Sequence, residues 1–143
     1  MDEGKYGLLF ENIDVKVYCL NMPSGRVNLH GLFKLFKLIR KLKPDVVQTW
    51  MYHSDLIGGV VAKMAGVKNI VWGVHHTNLI KGESKRSTIW VAKLNALLSS
   101  FVPKKIIYCA SKSREVQESI GFKKSIGEVV PNGYIIDDFS PKE

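Results

Sequence analysis

Hydrophobic residues along the chain form short continuous runs that alternate with longer stretches of helical spacing. Runs rich in Val, Ile and aromatic residues are typical of buried strands, whereas apolar residues that recur every three or four positions are typical of amphipathic helices. The pattern predicts strands at 15–20, 46–50, 69–74, 105–110 and 127–130, and helices at about 28–42, 54–65, 87–101 and 111–120.

The order of these elements predicts the fold class. Strands that alternate with helices of about 10–15 residues form parallel sheets with helices on their faces. We therefore expect a Rossmann-like three-layer α/β/α domain with a mainly parallel sheet of about five strands. Right-handed crossovers would bring the carboxyl ends of all strands to one edge. The domain is placed at residues 1–133 and the start of a linker at 134–143.

Polar residues follow the predicted strands at that edge, where α/β proteins bind their ligands. Three of the four histidines lie there. Any one of these residues could as easily be a structural cap, and only their clustering favours a binding cleft. The candidates are His53, Ser54 and Asp55 after the second strand, His75, His76, Thr77 and Asn78 after the third, Ser111 after the fourth, and Asn132 with Gly133 after the fifth.

The residues alone do not define a reaction. His75 and His76 are adjacent on an extended segment, so their side chains point to opposite sides, and no third ligand for a metal ion is apparent. A nucleophile elbow, a phosphate-binding P-loop and a dinucleotide-binding glycine turn are all absent from the sequence. From the residues, this is an α/β domain with a polar rim.

Composition and charge narrow the class of protein. The 45% hydrophobic fraction is ordinary for a folded domain, and Cys19 and Cys109 are expected to be buried free thiols in a reducing cytoplasm. The net charge of +8 is concentrated in residues 29–43, which contain no acid. That helix either packs on the sheet with its lysines in water or lies on an anionic membrane surface. Nucleic acid binding is not expected, because no recognition motif accompanies the charge.

Three segments carry a family resemblance. They are similar to the amino-terminal half of family 4 glycosyltransferases, which are retaining enzymes of the GT-B fold, and the similarity covers roughly residues 14–141. The motif Val130-Pro131-Asn132-Gly133, followed by acidic residues, Phe139 and Pro141, is the most specific part. The stretch from Gln48 to Asp55 resembles bacterial members that build cell-surface polysaccharides. The segments are LKPDVVQTWMYHSDLIGGVVAKMAGVKNIVWGVHHTNL, SSFVPKKIIYCASKSREVQESIGF and GEVVPNGYIIDDFSP.

The resemblance implies transfer of a sugar from a nucleotide sugar, expected to be a UDP-sugar, to a glycan or lipid-linked acceptor. It implies no metal and no other cofactor. His75 best matches the family histidine beside the transferred sugar, and His76 is the alternative, because the double histidine leaves the register open. By the same resemblance, His53, Ser54 and Asp55 line the acceptor cleft, Thr77 and Asn78 adjoin the histidines, and Ser111, Asn132 and Gly133 border the crevice between the two domains.

Two departures from the family bear on activity. No strand and glycine-rich loop precede Val15, and the chain ends at Glu143, where the donor-binding domain would begin. We therefore expect a fragment that is inactive alone. The resemblance implies that the intact enzyme is cytoplasmic, and docking of residues 29–43 at the inner membrane face is a separate hypothesis. The alternative is a non-catalytic flavodoxin-like module whose exposed sheet edge pairs with a partner or forms a homodimer.

Overall fold

The computed structural model describes residues 10, 13–20, 22, 27–75 and 86–133. Within them, four parallel strands lie in the sheet order β1-β2-β3-β4, and each is joined to the next through a helix. This confirms the predicted Rossmann-like α/β class. The strands are β1 (Val46–Trp50), β2 (Asn69–Val74), β3 (Lys105–Tyr108) and β4 (Gly127–Val129). The helices are α1 (Leu29–Leu42), α2 (Tyr52–Met64), α3 (Arg86–Leu98) and α4 (Ser111–Ser119), and a short 3-10 turn, Lys124–Ile126, precedes β4.

Helix α1 has clear start and stop signals. The side chain of Asn28 accepts a hydrogen bond of 2.6 Å from the Gly31 amide, which satisfies one of the free donors of the first turn. At the other end Lys43 takes a left-handed conformation with φ of 48°, and Pro44 follows. Ile39 is buried in the core, so α1 packs one face inward as the helical spacing predicts.

Helix α2 lies unusually close to the sheet because Gly59 has no side chain. A Cβ atom there would come within 2.5 Å of the Trp72 indole nitrogen and 3.2 Å of a Val102 methyl group. The sequence predicts this close approach from the costly Gly58-Gly59 pair, and the packing confirms it. The helix ends before Gly66, whose φ of +94° is readily adopted by glycine.

The helices of the described residues cover one face of the sheet. Ile70, Trp72 and Ile106 are fully buried on that face, whereas Val46 and Trp50 on the opposite face are half exposed. The reason is topological, because right-handed crossovers between strands taken in sequence order place every connecting helix on the same side. The described residues do not form the second helical layer of the predicted three-layer arrangement.

The strand predicted at 15–20 is wrong. These residues pair with no other described strand, and Val15 and Tyr18 are half exposed. The ammonium group of Lys34 instead donates a 2.9 Å hydrogen bond to the Cys19 carbonyl. An alternating run of β-formers becomes a strand only where another backbone supplies the pairing partner. The sheet of the described residues therefore has four strands, and β1 pairs only with β2.

Candidate functional site

The turn between β1 and α2 lies at the carboxyl edge of the sheet. Met51 forms this turn with φ of 72° and ψ of 150°, a conformation that costs a non-glycine residue on the order of 1–3 kcal/mol. Two backbone hydrogen bonds hold it, from the Met51 amide to the Gly73 carbonyl at 3.1 Å and from the Asp55 amide to the Met51 carbonyl at 2.9 Å. Strain of this kind at a ligand-binding edge marks the turn as a candidate functional feature.

His53 and Ser54 are exposed on the first turn of α2. No side chain caps this helix N-terminus. The amino end of α2 therefore presents an imidazole and a hydroxyl group at the edge of the sheet. The edge of the sheet thus presents hydrogen-bond donors of the kind that bind sugar hydroxyl groups or a phosphate.

Asp55 points in the opposite direction, into the core. Its side chain is fully buried and accepts a 2.6 Å hydrogen bond from the Thr49 hydroxyl group. Its second oxygen has no hydrogen-bond partner among the described residues. Burial raises the pKa of Asp55 to about 7, against the lowering effects of Thr49 and of the Gly73 amide. The carboxyl group thus lies beneath the turn between β1 and α2 and does not face solvent.

His75 follows β2 directly and is partly buried against Trp50. The imidazole and indole ring centroids are 4.8 Å apart, with an interplanar angle of 42°. Trp50 also covers Gly73, where a Cβ atom would lie 2.8 Å from the indole ring. The thiol of Cys109, just beyond β3, donates to the His75 carbonyl at 3.7 Å. The ends of three strands therefore hold His75 in place.

Sequence reasoning missed Trp50 as part of this site. The available signal is its register, because Trp50 pairs directly with Gly73 in the parallel ladder. A large ring beside a glycine on the neighbouring strand can lie flat across that strand. In this protein the glycine makes room for the indole, and the indole in turn positions His75.

Buried hydrogen bonds from α3 and α4 hold Tyr52, the first residue of α2. The Asn95 amide of α3 donates to the Tyr52 carbonyl at 2.8 Å, and the Gln117 amide of α4 donates to the Tyr52 hydroxyl group. Burial raises the pKa of Tyr52 to about 12, so the phenol stays protonated at neutral pH. These contacts join residues far apart in the chain, and no sequence pattern indicates them.

The remaining candidates occupy the edge beyond β3 and β4. Ser111 is exposed as the first residue of α4, and Asn132 and Gly133 are exposed after β4. Ser111 does not cap α4, because Ala110 occupies the cap position and no side chain bonds there. His76, Thr77 and Asn78 lie outside the described residues. The structure thus places His53, Ser54, His75, Ser111, Asn132 and Gly133 along one edge.

The fold defines the class of protein. Two structures of Anabaena HepE, one in complex with UDP-glucose and one with UDP and glucose, superimpose with TM-scores of 0.70 and 0.72. Their sequences are 18% and 17% identical to this chain. Each alignment covers 94% of this chain and 35% of the HepE chain. At this identity the likeness establishes the fold, a Rossmann-like domain of the GT-B type.

The family follows from the sequence itself. Residues 5–138 match the model of Glycosyltransferase Family 4, and the chain belongs to that family. The UDP-Gal:α-D-GlcNAc-diphosphoundecaprenol α-1,3-galactosyltransferase of Escherichia coli is 26% identical over 129 residues, which are 89% of this chain and 33% of that enzyme. The chain therefore spans about a third of the length of the relatives it matches.

Proposed function

We propose that this chain is the acceptor-side domain of a retaining glycosyltransferase that makes cell-surface polysaccharide. The donor is a nucleotide sugar, taken to be a UDP-sugar, and the acceptor is a glycan or a lipid-linked sugar. The observation that carries the proposal is the polar edge of His53, Ser54 and His75 in a chain of family 4. The name of the Escherichia coli relative, with its UDP-galactose donor and diphosphoundecaprenol-linked acceptor, supports both substrate classes.

Each edge residue has a proposed role. His75, or His76 in the alternative register, contacts the transferred sugar and stabilises the charge that develops on it. Trp50 positions the His75 ring through their tilted ring contact. His53 and Ser54 bind hydroxyl groups of the acceptor, with Thr77 and Asn78 nearby. Ser111, Asn132 and Gly133 border the crevice that faces the donor-binding part of the enzyme.

The domain needs a donor-binding partner domain for transfer. In the proposed enzyme a second domain holds the donor. These 143 residues by themselves are therefore expected to transfer no sugar and to bind a UDP-sugar weakly. No metal or other cofactor is assigned to it. The enzyme is placed in the cytoplasm, where nucleotide sugars are available.

A binding titration tests the acceptor site directly. The ligand is a water-soluble N-acetylglucosamine diphosphate with a short lipid chain, added to the isotope-labelled chain and followed by nuclear magnetic resonance. We expect shifts of the His53 and Ser54 amides and of the neighbouring His75 amide, and weaker binding in the His53→Ala variant. His30→Ala is the matched control, because His30 is an exposed histidine on α1. Tight binding of UDP-glucose to these residues, or acceptor binding that leaves all three amides unchanged, would contradict the proposal.

A second candidate function rests on the free edge of β1. That strand pairs only with β2 among the described residues, and its Val46 and Trp50 side chains are half exposed. An unpaired parallel edge can take a strand from a partner or from a second copy. A non-catalytic binding module would then dimerise through β1. Size-exclusion chromatography tests for this dimer. A stable monomer across a wide concentration range would contradict the second candidate function.

A further inference from the structure

We infer that the outer surface of helices α1, α2 and α3 is a docking face for an anionic lipid membrane. The sequence indicates only the basic segment 29–43 as a membrane candidate. The structure adds an apolar strip on α3. It also shows that Asp55, the one acidic residue of these three helices, is buried. The docking itself is independent of sugar transfer, and only its use by a lipid-linked acceptor rests on the proposed function.

The apolar strip runs along the outward side of α3 and into the turn that follows it. Trp90 and Phe101, at its two ends, are 74% and 70% exposed. The opposite side of α3, which includes Ala92 and Ala96, is buried in the core. Unpartnered apolar residues at helical spacing on a soluble surface mark an interaction site. The strip consists of Trp90, Leu94, Leu97 and Phe101.

The outward side of α1 is cationic and also carries exposed apolar groups. Phe33 is exposed there, and the Lys37 ammonium group lies 4.4 Å from the centre of its ring. On α3 the Lys93 ammonium group lies 5.9 Å from the Trp90 ring centre. Lysines that stand beside aromatic rings are characteristic of helices at a membrane interface, where the ring enters the headgroup layer and the charge meets phosphate.

Negative charge is absent from the exposed surfaces of α1, α2 and α3. The sequences of α1, α2 and α3 contain a single acidic residue, Asp55. That side chain is fully buried. Every exposed charged side chain on the three helices is therefore basic. The acidic side chains of the other described segments include Asp45 before β1 and Glu115 and Glu118 on α4.

The three helices present these groups on one surface. Helix α2 packs against both α1 and α3, and all three lie on the buried face of the sheet. Met64, the last residue of α2, is also exposed. The cations of α1 and the apolar strip of α3 therefore face the same way and can meet a flat partner together.

The chemistry of the face selects its partner. A second copy of the chain would bring two wholly cationic surfaces together, which is electrostatically unfavourable. An anionic bilayer offers both phosphate for the lysines and hydrocarbon for the strip. None of the described helices is long and apolar enough to cross a membrane, so the contact we infer is parallel to the bilayer surface.

Docking in this orientation brings the sheet edge close to the bilayer. Only three residues, Lys43 to Asp45, connect α1 to β1, so the helix runs antiparallel to the strands. The amino ends of the helices and the carboxyl ends of the strands thus lie at the same rim of the domain. A cleft at that rim would lie beside the headgroups, where the sugar of a lipid-linked acceptor is located.

Vesicle cosedimentation tests the inference. The 143-residue chain is mixed with phosphatidylcholine vesicles with and without phosphatidylglycerol, at low and high salt. We expect binding only with phosphatidylglycerol, weakened by salt. Replacing Lys37 and Lys41 by alanine should weaken binding by about twenty-fivefold, since each lost charge costs about fivefold. Trp90→Ser combined with Leu97→Ser should weaken it by about tenfold or more even at low salt.

The matched control replaces Lys105 by alanine. The Lys105 side chain is exposed on the face of the sheet opposite the helices, where it pairs with Glu128. This change should alter binding by less than about twofold, since charge far from the bilayer is screened. All substitutions fall on exposed side chains, and circular dichroism checks their folding. Failure to bind phosphatidylglycerol vesicles, equal binding to neutral vesicles, or an equal loss in the control would overturn the inference. A dimer that Trp90→Ser and Leu97→Ser dissociate, without vesicle binding, would also overturn it. These outcomes leave the acceptor titration unaffected, so the two proposals can fail separately.

Discussion

The buried carboxyl group of Asp55 should make the stability of the domain depend on pH in an unusual direction. Burial raises its pKa from 3.8 to about 7 in the folded protein. The folded state therefore binds this proton more tightly than the unfolded chain does. The stabilising contribution is complete below a pH of about 4 and is lost as the pH rises towards about 7.

The size of the effect follows from the shift. Between these two pKa values the free energy of unfolding should fall by up to about 1.4 kcal/mol per pH unit. The slope decreases near pH 7, so the total loss between pH 5 and pH 7 is about 2 kcal/mol. The Asp55→Asn variant removes the ionisation and keeps an oxygen that can accept from Thr49. Its buried NH₂ group adds an offset that does not depend on pH, so the slope is the quantity to compare.

Urea unfolding followed by tryptophan fluorescence measures this slope, because the fully buried Trp72 reports on the core. The native protein should lose about 2 kcal/mol between pH 5 and pH 7 relative to Asp55→Asn. The comparison cancels the titration of the four histidines, which is common to both proteins. Parallel pH profiles for the two proteins would refute the reasoning, since they would mean that Asp55 titrates normally in the folded state.

Three further substitutions test the packing around the site. Gly59→Ala would place a methyl group 2.5 Å from the Trp72 indole nitrogen and should lower the unfolding free energy by about 1–3 kcal/mol in urea titrations. Gly73→Ala would place one 2.8 Å from the Trp50 ring and should displace it, which a change in the His75 ring resonances would report. Asn28→Ala removes the cap of α1 and should cost about 1 kcal/mol in thermal or urea unfolding.

Each of these has an internal control. A Cβ atom at Gly133 would lie within 4 Å of none of the described residues, so Gly133→Ala should leave stability and the His75 resonances unchanged. Asn28→Ser restores a capping oxygen and should recover most of the stability lost in Asn28→Ala. An unchanged His75 spectrum in Gly73→Ala would show that the Trp50 contact does not hold the imidazole, and a Gly59→Ala variant as stable as the native chain would show that α2 can move away from the sheet.

Local sequence signals predicted most of the sheet. The strands at 46–50 and 69–74 were predicted with their observed bounds, because each is a continuous apolar run that a parallel sheet buries. The run at 15–20 has equally good composition and forms no strand, because pairing depends on a partner that a local pattern does not report. Helix α3 was predicted from its apolar residues, but not that one side of it would remain uncovered.

The sequence could predict which residues lie at the carboxyl edge of the sheet, but not the contacts that their side chains make there. Strand ends identified His53 and His75, since parallel topology alone places both at the carboxyl edge. The inward orientation of the Asp55 side chain on α2 depends on its hydrogen bond with Thr49 of β1. The contact of Trp50 with His75 depends on the register of β1 against β2. Such contacts require the fold before they can be read from the chain.

The strand order has a consequence for how the domain is made. Each strand pairs with the next one in the sequence, as Val46 does with Asn69 and Ile106 does with Gly127. A growing polypeptide can therefore complete each strand pair as soon as the next strand emerges from the ribosome, without waiting for a distant segment. The half-finished sheet always exposes its newest edge, which the following strand covers. Synthesis from the amino terminus and assembly of the sheet can thus proceed in the same direction, one strand at a time.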